Sequence, residues 1–180
     1  MSKVFKLQDK IDESHIEQRK LFIWGMVDEK TAKHCVDRLL YLDSLSNEKI
    51  TFVINSPGGY VTAGFSIYDT MQEIASPVST VCSGLAASMG SLLLSGGEKG
   101  HRHIQTHGRV MIHQPSGGAR GVSTDIEISA QEIVKTREIL ARLYEKNCGQ
   151  PFEKVMKDFN RDYWLDADAA MEYGIVDSIL

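Results

Sequence analysis

The stretch "PVSTVCSGLAASMGSLLLSGG", residues 77–97, decides the fold class of this chain. Its first residues form a short apolar run rich in β-branched side chains and predict a buried strand over 77–84. The apolar residues that follow predict a helix over 86–96. The small residues between them let a strand and a helix approach closely, or they clear space around Ser88 for a reacting group. Taken alone, the run favours the first explanation, close packing.

Strands and helices alternate along the rest of the chain. Further strands are predicted at residues 19–25, 49–59, the start of 108–121, and 175–180. The spacing of apolar residues predicts helices over 28–45, 60–74, 124–147 and 166–174. Thr124 and Glu127 form a candidate capping box for the longest of these helices. This alternation is typical of an α/β domain with largely parallel strand pairing.

The composition limits the possible classes of function. A chain of 180 residues suits one domain, and its net charge of −4 argues against a nucleic-acid surface. No apolar run reaches the length of a membrane span, and the first 20 residues are too polar for a secretory signal. Cys35, Cys82 and Cys148 fit free thiols in a reducing cytosol better than disulfides or zinc ligands. We therefore expect a cytoplasmic protein that binds neither nucleic acid nor membrane.

Two residues at predicted element boundaries are candidates for nucleophilic catalysis. Ser88 lies near the start of a predicted helix, but a serine hydroxyl is a weak nucleophile without a base. The residues around it do not form the G-x-S-x-G elbow of α/β-hydrolases. His113 ends an apolar strand just before a proline-bounded turn, a position where histidine is more often structural. The loosely spaced His101, His103 and His107 could suggest a metal, but no carboxylate or cysteine cluster supports one.

Two further motifs could complete such a site. In "NSPGG", residues 55–59, the glycines would let a carbonyl approach, and the N–H groups of Gly59 and Met89 could form an oxyanion hole. An ordinary tight turn explains the motif equally well. In "NRDYW", residues 160–164, Asp162 could orient a histidine, although surface aspartates are common. Together the motifs supply a nucleophile, a base, an orienting acid and oxyanion donors at element ends, where α/β folds gather active sites.

Several long stretches of the sequence resemble ClpP, the family of proteolytic subunits of the caseinolytic (Clp) proteases, which are serine peptidases of family S14. The chain order of the three candidates is Ser, His, Asp, with separations of 25 and 49 residues that agree with the family pattern. The resemblance covers about residues 19–180. The stretches that carry it are "INSPGGYVTAGFSIYDTMQ", "GLAASMGSLLL", "RVMIHQPSGGARG", "TDIEISAQEI" and "AMEYGIVDSI".

This resemblance implies a role for each candidate residue in a serine endopeptidase. Ser88 would be the nucleophile, His113 the general base and later acid, and Asp162 the residue that fixes the imidazole. The N–H groups of Gly59 and Met89 would hold the oxyanion of the tetrahedral intermediate. The substrate would pair by strand addition, which reads few side chains, with Tyr60, Val61, Ser116, Gly117, Gly118 and Ala119.

The resemblance also implies an architecture and an assembly. We expect a ClpP/crotonase-like α/β fold of stacked βαβ units over residues 19–180. A protruding handle, a strand followed by a long helix, would span about 114–148 and form the contact between rings. Two stacked rings of seven subunits, a tetradecamer, would enclose the sites. A ClpX-, ClpA- or ClpC-type AAA+ ATPase would feed unfolded proteins into the chamber. The subunit itself would need no metal, nucleotide or other cofactor.

Three departures from the family pattern affect these expectations. Residues 1–18 are a shortened axial segment, in which Val4, Phe5 and Leu7 weakly replace an apolar pore lining. The residue before Arg161 is Asn160 rather than an acid, so an expected ion pair between the rings loses a charge. The positions of the ATPase-docking pocket hold Thr51, Val53, Glu73 and His103, and a buried carboxylate there would weaken binding of an apolar loop.

These departures leave a second hypothesis open. The chain could be a ClpP paralogue that is largely structural or regulatory and needs a second ClpP isoform for docking and activity. Two other enzyme classes were weighed. Crotonase-type acyl-CoA enzymes would not need the three candidate residues together. SppA-type peptidases use a lysine base, and Lys99 is poorly placed for that role.

Overall fold

The fold is taken from a computed structural model, which describes the backbone of residues 2–180 and the side chains from Leu7 onward. The helices of this part of the chain are α1 (Ser2–Glu17), α2 (Glu29–Leu45), α3 (Val61–Glu73), α4 (Met89–Ser95), α5 (Ser123–Cys148), α6 (Phe152–Asp158) and α7 (Ala167–Tyr173). The strands are β1 (Lys20–Trp24), β2 (Ile50–Ser56), β3 (Val78–Ala87), β4 (Arg102–Ile104), β5 (Arg109–Ile112), β6 (Tyr163–Leu165) and β7 (Ser178–Ile179).

The strands form one sheet, which confirms the predicted α/β class. The order β1-β2-β3-β4-β7 is parallel throughout, and β5 also pairs in parallel with β3. Only β6 runs antiparallel, alongside β5. Parallel neighbours require crossover connections, which here are the helices between them. Because parallel strands end at a common edge, residues that follow β2, β3 and β5 are brought together.

Alternation of side chains along the strands produces the core. In β2, Ile50, Phe52 and Ile54 are fully buried, while the residues between them are only half-buried. In β1, Leu21 and Ile23 face the same way. The buried faces of α2, α3 and α4 cover this side of the sheet. The core therefore lies between one face of the sheet and a layer of helices.

Strand β3 is longer than its sequence predicts, and helix α4 starts later. Thr80–Cys82 pair with β4, and Leu85–Ala87 pair with β5. The small residues of this second half were predicted to begin a helix at residue 86, but the helix begins at Met89. Pairing with β5 keeps the chain extended up to Ala87, which small side chains permit on both faces. The prediction of a helix start at residue 86 is therefore wrong, and Ser88 lies directly at the end of the strand.

The segment that follows β5 differs from the predicted handle. Residues 113–122 contain no strand, and the backbone bond that links them to a distant segment is that of the Gln114 amide to the Phe159 carbonyl. Helix α5 follows over Ser123–Cys148 as expected, but its N-cap is Val122, with no side-chain capping bond. The capping box of Thr124 and Glu127 is therefore wrong, since the helix begins one residue before Thr124. Most side chains of its first four turns are exposed, and burial begins at Leu140.

Four elements were not expected from the sequence: α1, β4, α6 and β6. Helix α1 packs on β1, with the rings of His15 and Phe22 4.5 Å apart. Val4 and Phe5, named above as substitutes for a pore lining, have side chains outside the described part, and Leu7 is exposed. The assignment of residues 1–18 to an axial segment therefore stays a prediction. Within residues 2–180, no helix combines the length and the hydropathy needed to span a bilayer.

Candidate active site

The backbone of Ser88 adopts an unusual conformation at the tip of β3. Its φ of 53° and ψ of −123° lie in a region that residues other than glycine rarely occupy. Such a conformation persists only where the surroundings determine it. Its N–H donates to the carbonyl of Met111 at 2.9 Å, which ties the turn to strand β5. The result is a half-buried hydroxyl at the edge of the sheet, at the N-terminus of α4.

The hydroxyl of Ser88 meets the imidazole of His113, which in turn meets Asp162. Ser88 Oγ and His113 Nε2 are 2.9 Å apart, and His113 Nδ1 and Asp162 Oδ1 are 3.0 Å apart. The antiparallel pairing of β5 and β6 explains the second contact, because Ile112 lies opposite Tyr163 and the next residues outward are His113 and Asp162. The side chain of His113 is 27% exposed and that of Asp162 is 60% exposed. The three residues predicted from distant parts of the chain therefore form one hydrogen-bonded line.

The backbone amides of Gly59 and Met89 lie near this line and make no hydrogen bond within the described chain. The amide of Gly58 is already used, because it donates to Ser56 Oγ at 3.0 Å. Gly58 packs directly on the turn at Ser88, since a Cβ built on it would lie 2.6 Å from Ser88 Cβ and 2.9 Å from Met89 N. The turn that carries Gly59 and the turn that carries Met89 are thus in contact, as two donors to one oxyanion would require.

The glycine turn is fixed on its other side by Val27. Val27 accepts a hydrogen bond from the Tyr60 amide at 2.8 Å and donates to the Gly58 carbonyl at 2.9 Å. A Cβ on Gly59 would overlap the backbone of Val27, so a glycine is required at this position. The isolated bridge between Val27 and Gly59 therefore orients the Gly59 amide, and that amide donates none of the hydrogen bonds of the bridge.

The residues expected to bind substrate lie in two places. Tyr60 and Val61 are at the start of α3, where Tyr60 is exposed and Val61 is half-buried against the core. Ser116, Gly117 and Gly118 are exposed, and Ala119 is half-buried, in the irregular segment after His113. The backbone of Tyr60 is already paired with Val27 and Gly64, whereas the backbone groups of residues 116–119 make no hydrogen bond within the described chain. They are free for an extended peptide, although their role in binding stays a prediction.

Hydrogen bonds of Gln114 that link the segment after His113 to the loop before Asp162 could not be predicted from the sequence. The Gln114 amide donates to the Phe159 carbonyl at 2.6 Å, and its side chain Nε2 donates to the Asn160 carbonyl at 2.7 Å. These bonds hold the residue after His113 against the loop that carries Asp162. Asn160, predicted to contact another subunit together with Arg161, thus has a partner in its own chain. No signal in the sequence pairs Gln114 with residues 45 positions away.

The positions expected to dock an ATPase lie on the outer face of the sheet, with one exception. Val53 of β2, Val81 of β3 and His103 of β4 form a row across the strands, and Thr51 is on the same face of β2. His103 Nδ1 lies 2.7 Å from Ser178 Oγ, and burial lowers its pKa below 6.5. Glu73 instead ends α3 with an exposed side chain, so the buried carboxylate that we expected is not found.

The thiols and histidines that could have suggested a metal do not form a site. Among residues 7–180, no three His, Cys, Asp or Glu side chains are grouped so that they could hold an ion. Cys35, Cys82 and Cys148 are unpaired in this part of the chain, and burial raises the pKa of each to about 12. These thiols are therefore protonated and unreactive at neutral pH.

A family model described as Clp protease matches residues 6–180. The chain belongs to the Clp protease family. The match covers nearly the whole chain and confirms the resemblance drawn from the sequence motifs. Membership in the Clp protease family makes the chain a ClpP-like peptidase rather than an acyl-CoA enzyme.

The arrangement also bears on the base that a Clp protease subunit could use. Lys99, weighed above as an alternative base, follows the C-terminal end of α4, whereas Ser88 precedes its N-terminus. Seven helical residues, about 10 Å of helix, separate the two. The imidazole of His113 is the basic group within hydrogen-bond distance of the Ser88 hydroxyl.

Proposed function

We propose that this ClpP-like peptidase is a serine endopeptidase that uses Ser88, His113 and Asp162 as a catalytic triad. The observation that supports this most is the continuous line of contacts, 2.9 Å from Ser88 Oγ to His113 Nε2 and 3.0 Å from His113 Nδ1 to Asp162 Oδ1. Both distances lie within the range over which a proton is transferred or an imidazole is oriented.

In the proposed reaction, Ser88 Oγ attacks the carbonyl carbon of the scissile peptide bond while His113 Nε2 takes the hydroxyl proton. The oxyanion of the tetrahedral intermediate accepts hydrogen bonds from the amides of Gly59 and Met89. The intermediate collapses as the imidazolium gives its proton to the leaving amine. Water then attacks the acyl-enzyme through the same base and releases the acid product. Asp162 accepts from His113 Nδ1 and stabilises the imidazolium in both steps.

We propose that substrates bind as extended, unfolded polypeptide. The peptide would lie between residues 116–119, whose unpaired backbone can pair with it as a strand, and the start of α3 at Tyr60 and Val61. Pairing through the main chain supplies affinity without reading side chains. Such a site would accept many sequences, which suits degradation of unfolded proteins.

We further propose that the subunits assemble into two stacked heptameric rings served by an AAA+ ATPase of the ClpX, ClpA or ClpC type. The exposed first turns of α5, with apolar Ile126, Ile128 and Val134, support a contact with other subunits. Asn160 and Arg161 directly precede Asp162 and would contact subunits of the facing ring. The three thiols suit a reducing, cytoplasmic compartment.

One observation favours a second candidate, a subunit that needs another ClpP isoform for ATPase docking. Thr51 and His103 add polar groups to the face on which Val53 and Val81 lie. An apolar loop would bind such a face weakly. The pure protein mixed with a Clp ATPase and a fluorescent unfolded substrate tests this. Rapid ATP-dependent degradation by this subunit alone would remove the second candidate.

A fluorophosphonate probe tests the proposed triad. We expect the wild type to gain one adduct, mapped to Ser88 by mass spectrometry, and Ser88→Ala to gain none and to lose peptidase activity by at least about 10⁴-fold. Ser83→Ala is the matched control, because Ser83 lies in the same stretch but donates to Gln105 Oε1 at 2.9 Å. It should be labelled like the wild type. An adduct on another serine, or none on any assembled form, would contradict the proposal.

A further inference from the structure

A buried hydroxyl three residues after Ser88 contacts the Ser88 backbone. Ser91 is fully buried on the first turn of α4, and its Oγ lies 2.7 Å from the Ser88 carbonyl and 2.9 Å from the Met111 carbonyl. Met111 lies two residues before His113 on β5. One side chain thus joins the backbone of the nucleophile to the backbone of the strand that carries its base.

A second hydroxyl completes this connection from the long helix. Tyr144 of α5 is 2% exposed, and its hydroxyl lies 2.7 Å from Ser91 Oγ and 3.3 Å from the Ser88 carbonyl. Burial raises the pKa of Tyr144, so its hydroxyl keeps its proton and remains a donor. Ser91 has one proton for two carbonyls, and Tyr144 supplies a second side-chain proton to the group. These side-chain bonds add to the backbone bonds that the Ser88 and Met111 carbonyls already accept.

The ring of Tyr144 reaches the third triad segment. It packs edge-on against Phe159, with ring centroids 6.5 Å apart, and the Phe159 carbonyl accepts the hydrogen bond from the Gln114 amide. Phe159 lies three residues before Asp162. Tyr144 therefore touches, directly or through Ser91, the segments that carry all three members of the line.

We propose that Ser91 and Tyr144 are positioning residues for the peptidase reaction, and that their hydroxyl pair holds Ser88 at its reactive geometry and links it to helix α5. The proposal rests on the function proposed above. The hydroxyls do not touch the substrate; they act through the Ser88 and Met111 carbonyls. Ser88 is the residue of the site, other than the glycines, with a positive φ, and both hydroxyls contact its carbonyl.

The chain contains a matched pair one turn further along the same two helices. Ser95 of α4 is buried, donates to the Leu92 carbonyl at 2.9 Å and accepts from Asn147 Nδ2 of α5 at 3.1 Å. Tyr68 of α3 is a buried tyrosine whose hydroxyl also contacts Asn147, at 3.0 Å. Ser95 thus joins α4 to α5 and Tyr68 joins α3 to α5, but neither contacts Ser88 or Met111.

The test compares Ser91→Ala and Tyr144→Phe with the controls Ser95→Ala and Tyr68→Phe. Peptide hydrolysis by the assembled protein is measured, with sites counted by fluorophosphonate titration. We expect kcat per titrated site to fall about tenfold in Ser91→Ala and in Tyr144→Phe, the rate equivalent of one hydrogen bond, with KM unchanged. The double variant should lie within about twofold of the slower single variant, because the two hydroxyls act as one unit. Both controls should keep kcat within about twofold.

Two results would overturn the inference. One is a kcat per titrated site in Ser91→Ala and Tyr144→Phe that matches the wild type, and the other is an equal loss in the controls. If Tyr144→Phe does not assemble, Ser91→Ala decides alone. The proposed function fails separately: a wild type that is not labelled at Ser88 would overturn that function and this inference together.

Discussion

The two small-residue stretches at the candidate site have opposite properties. The turn at residues 86–91 is paired with β5, bonded to Met111 and in contact with the glycine turn at Gly58. The segment at residues 115–121 is largely exposed and makes no hydrogen bond to the rest of the described chain. Small side chains permit close packing in the first stretch and leave the backbone open in the second. The same composition therefore holds Ser88 in place in one stretch and leaves the backbone open in the other.

This comparison answers the question that the sequence left open about residues 83–91. Packing and chemistry are not alternatives there, because close packing is what holds Ser88 in a strained conformation beside His113. If the comparison is correct, a methyl group added in the turn should lower both kcat and the free energy of unfolding. A methyl added in the open segment should leave the free energy of unfolding unchanged. Loss of a stabilising contact far from the site should lower stability without changing kcat.

The largest effect is expected from Gly58→Ala. The added methyl would overlap Ser88 Cβ and the Ala87 carbonyl, at a φ of +90°. A shift of the turn by a fraction of an ångström should lower kcat by about 100-fold. The free energy of unfolding should fall by about 2–4 kcal/mol. Steady-state kinetics and chemical denaturation measure the two effects.

The control for this change is Gly100→Ala. Gly100 has a φ of +88°, but its new methyl would have nothing within 4 Å. Its free energy of unfolding should fall by about 1 kcal/mol, the cost of a left-handed backbone for a residue with a Cβ, and its kcat should not change. Equal losses of kcat in the two variants would show that backbone strain, rather than contact with Ser88, explains the effect.

The next largest effect on stability is expected at an ion pair that does not contact the triad. Arg102 and Asp177 form a buried ion pair between β4 and the C-terminal strand, with 2.6 Å between Arg102 Nη2 and Asp177 Oδ1. Asp177→Asn should lower the free energy of unfolding by about 3 kcal/mol at neutral pH, because it leaves the guanidinium without its partner charge. The kcat per titrated site should not change. If Asp177→Asn lowered kcat as much as Gly58→Ala does, contact with Ser88 would not explain the effect of Gly58→Ala.

The same pair predicts a pH dependence of stability. Burial alone would raise the pKa of Asp177, but hydrogen bonds from Arg102 outweigh it and hold the pKa below 3.8. A carboxyl with a lowered folded pKa stabilises the protein fully above its unfolded pKa, and the contribution disappears as the pH falls through the folded value. The difference in unfolding free energy between wild type and Asp177→Asn should therefore shrink below about pH 4. A difference that stays constant down to pH 2 would contradict this assignment.

The smallest effect is expected from Gly118→Ala in the open segment. A methyl there would have nothing within 4 Å. The free energy of unfolding should change by less than about 0.5 kcal/mol, as for an ordinary surface substitution. Thermal unfolding of the assembled protein measures it. A loss of unfolding free energy comparable to that of Gly58→Ala would show that the open segment is packed as closely as the turn at Ser88.

Much of the fold could be predicted because long elements carry a clear period. The apolar spacing placed α2, α3 and α5 within a few residues, and the β-branched runs located β1 and β2. Strands β4 and β6 could not be found, since each has only three residues and too few side chains to show alternation. Helix α1 has a predominantly polar sequence and was not predicted for that reason.

The site was predictable to the extent that it follows strand ends. Ser88 and His113 end β3 and β5, and the parallel sheet brings such ends together. Asp162 was a candidate from its motif, but only the family resemblance paired it with His113, because its position depends on the unpredicted pairing of β6 with β5. Ser91 and Tyr144 could not be predicted as a pair: 53 residues separate them, and each fits an apolar helix face.

The most direct test of the central claim is a crystal structure of the assembled protein after reaction with a fluorophosphonate. The account predicts a bond from phosphorus to Ser88 Oγ, with a phosphoryl oxygen within hydrogen-bond distance of the Gly59 and Met89 amides and His113 Nε2 beside Ser88. A phosphoryl oxygen that points away from both amides, or an adduct on another residue, would contradict it.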